Sequence, residues 1–184
     1  MLPLVFLPST PTLLAGRGPA LAKRHAVLRA AGLTALEVVE GVPGQVAIAA
    51  ARIVFVAGLT PEESEGVAAQ ARALRIPVNV EDVPHLCDVH VPAIVRRGGL
   101  TLTVSTAGGA PALSAAIRGW LEDAFGPEWA AHLEEVATLR ATLRAHGATP
   151  SEVIRGVDDH LATAGWAPLA AGGRCLPAAP AADA

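Results

Sequence analysis

The stretch TLLAGRGPALAKRHAVLRAAG, residues 12–32, sets the class of this chain. Its first four residues are a short, largely apolar run that predicts a strand. Gly16-Arg17-Gly18 turns the backbone, Pro19 takes a favourable first helical position, and the Ala, Leu, Lys and Arg residues that follow predict a helix to Ala31, closed by Gly32. Strand, glycine turn and helix in this order bring an anion to a helix N-terminus, where unpaired N–H groups and the helix dipole favour it. Working outward, residues 33–39 predict a second strand, and IVFVA, residues 53–57, a third. The third is apolar throughout, as a strand covered on both faces can be. Thr60-Pro61-Glu62-Glu63 predicts a helix start with acids in the first turn, running to about Leu74, and residues 78–80 predict a fourth strand. Strands alternating with helices predict an α/β domain with a parallel sheet.

From Val83 the pattern changes. Pro84 and Pro92 bracket a loop, and residues 93–96 and 100–105 predict two strands joined through Gly98-Gly99. Helices are expected over 110–125 and 127–145, and from the capping signature Thr149-Pro150-Ser151-Glu152 to near Ala164. Residues 167–184, rich in Ala, Pro and Gly, predict a disordered tail.

Composition narrows the function. The 184 residues carry 14 Lys and Arg against 17 Asp and Glu, and with only 17% charged and 52% hydrophobic residues the chain has the means to build a core. Three Trp, three Phe, no Tyr and a net charge of −3 offer neither a basic face nor an aromatic platform, so no nucleic-acid partner is expected. Cys87 and Cys175 stand far apart without a CxxC pair, which predicts free thiols rather than a disulfide framework or zinc knuckle. The proline-containing N-terminal stretch lacks the basic region of a secretory signal, and Arg52 interrupts the longest apolar run. No membrane span is expected, and a soluble cytoplasmic protein is.

Several groups could carry chemistry. Gly16, Arg17, Gly18 and Pro19 form the candidate dinucleotide loop, with Leu21 at the sixth position of the pattern. Glu37, or Glu40 beside it, is the candidate for ribose hydroxyls; a P-loop is excluded because no Gly-Lys-Ser/Thr follows. Asn79-Val80-Glu81-Asp82 ends a predicted parallel strand, the edge where such sheets bind ligands, and a carboxylate there is a candidate general base. The plainer alternative is a pair of acids solvating a turn. His85, Cys87, Asp88 and His90 do not match zinc spacing, so no metal site is assigned, and His25, His132, His146 and His160 read as surface residues. The loop Ser105-Thr106-Ala107-Gly108-Gly109-Ala110-Pro111 offers hydroxyls and amides for carboxylates, and Arg96, Arg97 and Arg118 flank it.

With these motifs in order, residues 76–122 resemble the precorrin-2 dehydrogenase and sirohydrochlorin ferrochelatase family, which also forms the N-terminal part of siroheme synthase. The resemblance rests on the NVxD strand end, the Leu-Cys-Asp triplet, Pro-Ala-Ile-Val-Arg-Arg-Gly, and the Ser-Thr-x-Gly-x-x-Pro-x-Leu loop. A looser similarity runs from about Pro3 through Arg144. It implies a Rossmann-like NAD-binding domain over 1–90, a small dimerisation domain with paired strands over 91–120, and a helical C-terminal domain over 121–166, in a homodimer. The implied activity is NAD-dependent oxidation of precorrin-2 to sirohydrochlorin, with ferrous iron insertion as a second activity of bifunctional members. By residue match Asp82 falls on the catalytic aspartate, Asn79 on the same strand end, Ser105, Thr106 and Gly108 on the tetrapyrrole loop, and Gly16 and Gly18 on the dinucleotide loop. Arg17 and Pro19 depart from the family's usual Gly and acidic residue, Leu21 from a small residue, and Ala107 and Ala110 from Gly and Ser. The alternatives are a tetrapyrrole- or metal-binding module or chelatase without the dehydrogenase step, and a dehydrogenase for another small acid.

Overall fold

The computed structural model describes residues 5–166; Cys175 and the stretch expected to be disordered lie outside the described residues. The chain divides into two compact units, the first ending at Val91 and the second beginning at Pro92.

The first unit runs β1 (Thr12–Gly16), α1 (Gly18–Ala30), β2 (Leu36–Glu40), α2 (Gln45–Ala50), β3 (Ile53–Ala57), α3 (Pro61–Ala73) and β4 (Val78–Val80). All four strands are parallel, in the order β2-β1-β3-β4. Every residue of β1 and β3 is buried, which is why these strands show no polar alternation. Leu13, Val54, Val56 and Val78 pack with Ile48, Val67 and Ala71 on one face, whereas Leu14, Ile53 and Phe55 pack with Leu28 and Leu33 on the other. A fully buried leucine such as Leu14 contributes about 2–5 kcal/mol over alanine.

Helix ends follow the local sequence. Thr60 and Glu63 form a reciprocal capping box at the start of α3, each satisfying the other's backbone N–H. At its end the Ile76 N–H bonds the Ala71 carbonyl and the Arg75 N–H the Arg72 carbonyl, a Schellman closure that places Arg75 at φ +59°. The short helix α2 was not expected from the sequence. Its six residues, QVAIAA, follow a glycine N-cap without a side-chain hydrogen bond, and burial of Ile48 replaces the missing local signal.

The second unit pairs β5 (Ala93–Arg97) with β6 (Leu100–Val104) as an antiparallel hairpin, followed by α4 (Pro111–Ala124), α5 (Trp129–Ala145) and α6 (Pro150–Ala164). Gly98, at φ +57°, lets the hairpin turn lie on Ala130 of α5, where a β-carbon would come within 3.0 Å. His132 and His160 are not the surface residues expected. The His132 ring stacks on Trp166 with centroids 4.0 Å apart, and His160 and Trp129 meet the same indole edge-on. Thr149 and Glu152 cap α6 as Thr60 and Glu63 cap α3. The expected fold class holds: a Rossmann-like parallel sheet, a separate two-stranded antiparallel sheet and a helical C-terminal part. Among the described residues, no helix is long and apolar enough to cross a membrane.

Candidate functional site

The carboxyl edge of the parallel sheet brings Gly16, Glu40 and Ala57 level with one another. Here the chain reverses its direction of travel across the sheet, the place where open α/β sheets hold ligands. The Arg17 N–H donates to the Ala57 carbonyl over 3.0 Å, and the Gly41 N–H to the Gly16 carbonyl over 2.7 Å, so the loops after β1, β2 and β3 are tied together. The Ala57 carbonyl oxygen occupies the place a β-carbon on Gly16 would need, and the Arg17 carbonyl the place one on Gly58 would need. Gly18 differs: at φ +61° its β-carbon position is open space. The Gly18 and Ala20 amides, at the start of α1, have no backbone acceptor among the described residues, and Pro19 has no N–H to offer. This cradle fits a phosphate, with fewer donors than an unsubstituted helix start would present.

Arg17 reaches across this edge. Its Nη1 bonds Glu63 Oε2 at 2.6 Å, while a β-carbon on Gly41 would stand 3.3 Å from Nη2. The hydrogen bond from Arg17, then that from the Thr60 amide, holds the Glu63 carboxyl below the ordinary glutamate range. Glu37 and Glu40 separate in the structure. Glu40 ends β2 level with Gly16, whereas Glu37 lies level with Leu13, three residues back from the edge.

At the end of β4, Glu81 and Asp82 go different ways. Glu81 pairs with Arg24 of α1 at 3.2 Å, both side chains largely buried. Asp82 is exposed, sits at φ +61°, and its carboxylate has no hydrogen bond or ion pair among the described residues. Asparagine and aspartate tolerate this left-handed conformation better than other side-chain-bearing residues. Asn79 points inward: its Nδ2 donates to the Val89 carbonyl over 2.8 Å, and Oδ1 is buried without a partner among the described residues. The Leu-Cys-Asp triplet closes the same loop. Leu86 is buried, the Cys87 thiol lies 3.3 Å from the Val80 nitrogen, and Asp88 joins Arg72 to the Val78 N–H. Among the described residues, no group of three or more His, Cys, Asp or Glu could hold a metal ion.

In the second unit, Arg96 and Arg97 also part company. Arg97 donates to the carbonyls of Phe125 and Glu122, which closes the C-terminal end of α4, and to that of its neighbour Arg96. Arg96, on the opposite face of β5, makes no such bond among the described residues. Thr106 Oγ1 accepts from the Ala110 N–H over 3.2 Å and lies 3.0 Å from Ser114 Oγ, so it fixes the loop onto α4. Ser105 and Gly108 are exposed on that loop, where the Ala107 N–H donates to Ser105 Oγ and Ala107 and Gly108 both take positive φ. The sequence did not mark out Arg24 or Gly58, and it marked Glu63 only as an acid at a helix start. The Gly58 signal was a glycine directly after an apolar strand; the two ion pairs join residues 57 and 46 positions apart and leave no local trace.

A parallel sheet with a glycine loop at its switch point defines a Rossmann-like domain, and comparison with known proteins narrows it further. Residues 12–93 match a family model described as "Putative NAD(P)-binding". The siroheme synthase of Pseudomonas putida strain F1 is 41% identical over 97 residues, which take in 50% of this chain and 19% of that protein. The siroheme biosynthesis protein met8 of Schizosaccharomyces pombe is 34% identical over 84 residues, 46% of this chain and 32% of that one. The chain therefore spans a third or less of the length of these curated relatives. A solved structure named SirC, precorrin-2 dehydrogenase, shares the fold with a TM-score of 0.67 at 16% identity, over 86% of this chain and 88% of that chain. Over about half of its length the chain is similar in sequence to these siroheme biosynthesis proteins.

Proposed function

We propose that this chain is an oxidoreductase of siroheme biosynthesis, oxidising precorrin-2 to sirohydrochlorin with NAD. The observation that carries the reading is Asp82, a carboxylate kept exposed and without a partner among the described residues at the ligand edge, while its neighbour Glu81 is spent on Arg24. It stands two strands from the glycine loop, roughly 10 Å by the spacing of strands in a sheet. Oxidation of the macrocycle removes a hydride and a proton. Bound at the Gly16–Gly18 cradle, NAD supplies the hydride acceptor. The Gly18 and Ala20 amides would donate to its pyrophosphate beside the open β-carbon position of Gly18, Gly16 lets the ends of β1 and β3 close up beneath it, and Glu40 is better placed than Glu37 for ribose hydroxyls. Asp82 takes the proton as general base.

Within the second unit, Arg96, Ser105 and Gly108 offer a cation, a hydroxyl and a backbone amide of the kind that carboxylates take, with Thr106 and Arg97 shaping the loop and the end of α4. Ferrous iron insertion is the second step of the same reading, with Asp82 receiving pyrrole protons as the metal enters. The second unit supplies the homodimer contact through residues 91–120, supported by Leu113 and Ile117, exposed one turn apart on α4. A helical domain over 121–166 completes this reading. The test is absorbance-monitored turnover of precorrin-2 with NAD, then with ferrous iron, comparing wild type with Asp82→Asn. Formation of sirohydrochlorin by wild type and its loss in the variant is the expected result. Metallation of supplied sirohydrochlorin without any NAD-dependent step would replace the reading with that of a chelatase.

A further inference from the structure

Arg17 is the side chain in the dinucleotide loop that the proposed reaction does not use. Its guanidinium has two working edges. Nη1 is occupied by Glu63 at 2.6 Å, but Nε and Nη2, the pair that grips phosphate oxygens side by side, carry no acceptor among the described residues. That free edge faces Gly41, the residue directly after β2; a β-carbon there would stand 3.3 Å from Nη2 and 3.7 Å from Nε. The end of β2 is where dinucleotide-binding sheets meet the adenosine ribose, with an acid for its hydroxyls or an arginine for a 2′-phosphate. This chain presents both, Glu40 at the strand end and Arg17 beside it.

We infer that Arg17 is a specificity-determining residue that lets this site take a phosphate on the adenosine ribose, so that the chain binds NADP at least as well as NAD. Glu40 and Glu63 alone would place two carboxylates beside the ribose and repel that phosphate. The cation between them removes the repulsion, and its free edge adds a two-point contact. Glu63 is a positioning residue in this arrangement, holding the guanidinium across the edge by one nitrogen. Gly41, lacking a side chain, leaves the other edge uncovered.

The inference rests on the dinucleotide reading above, and the two are separable by experiment. Calorimetric titration of the whole chain with NADP and with NAD, without substrate, measures both affinities. Wild type is expected to bind NADP at least as tightly as NAD, and Arg17→Gln to lower the ratio of NADP to NAD affinity by about tenfold or more, with Arg17→Lys intermediate because it keeps the charge and loses the fork. Arg17 is exposed and its backbone extended, so the variants are expected to keep the fold, which thermal unfolding checks. A ratio unaltered by Arg17→Gln, or a wild type that binds NAD and not NADP, overturns the inference and leaves the dinucleotide reading standing. Binding of neither dinucleotide overturns both.

Discussion

Gly16 and Ala57 stand opposite each other at the ends of β1 and β3, and the Ala57 carbonyl oxygen fills the place a β-carbon on Gly16 would take. The obstacle is backbone in the centre of a buried sheet, so it cannot swing aside as a side chain would. Gly16→Ala is therefore expected to lose about 3 kcal/mol or more of stability, or to fail to fold. Gly18→Ala, two residues on, meets open space and pays only for its left-handed φ, about 1–2 kcal/mol. Urea unfolding of the two variants checks this, and equal losses would show that the close approach of the two strand ends does not matter.

Asp82 offers a way to separate chemistry from folding. Its φ of +61° is easier for glycine than for any residue with a side chain, and among the described residues its carboxylate holds nothing in place. Asp82→Gly should thus fold with unchanged stability or a gain of up to about 1 kcal/mol. Turnover of precorrin-2 should fall by about a hundredfold or more, the typical contribution of a positioned general base. Turnover surviving in a folded Asp82→Gly protein would remove the aspartate from the mechanism.

Adjacent arginines on β5 are expected to fail in opposite ways. Arg97 closes the end of α4 through two carbonyls and also holds that of Arg96, so Arg97→Ala should cost about 2 kcal/mol of stability. Arg96 has no such duty; Arg96→Ala should leave the unfolding midpoint nearly unchanged while weakening sirohydrochlorin binding severalfold. Thermal unfolding and absorbance titration measure the two effects, and the reverse pattern would reassign the pair.

The strands and most helices were legible because each carried its own local signal. IVFVA announced a strand covered on both faces, and Thr60 with Glu63 and Thr149 with Glu152 announced helix starts. QVAIAA carried none, because α2 exists through the burial of Ile48 rather than through caps or charge. The candidate site was legible as a set of motifs and less so as roles. Asn79, Thr106 and Arg97 stood among the candidate substrate-binding residues, yet Asn79 Nδ2, Thr106 Oγ1 and the Arg97 guanidinium turn out to bond the protein's own loops and helix ends. Such partners lie from 1 to 28 residues away along the chain, so no spacing rule shows which group is used up and which is free. Glu37 and Glu40 could be ranked only once the register of β1 and β2 was known.

Capping makes stability sensitive to acid in a predictable direction. The backbone N–H of Thr149, and then its hydroxyl, hold the Glu152 carboxyl below the ordinary glutamate range. Because the folded value is depressed, the ionised group contributes stability above the ordinary glutamate range, and that contribution is lost as pH falls through the folded value. Glu63 behaves in the same sense, held down first by Arg17 and then by Thr60. Glu152→Gln keeps an oxygen that can accept from Thr149 but has no charge to lose. Wild type should exceed this variant in urea midpoint at neutral pH, and the gap should close as the solution is taken below the ordinary glutamate range. A gap of constant size from neutral to acid pH would mean that the cap acts through its hydrogen bonds alone and that the carboxylate's charge contributes nothing at this helix start.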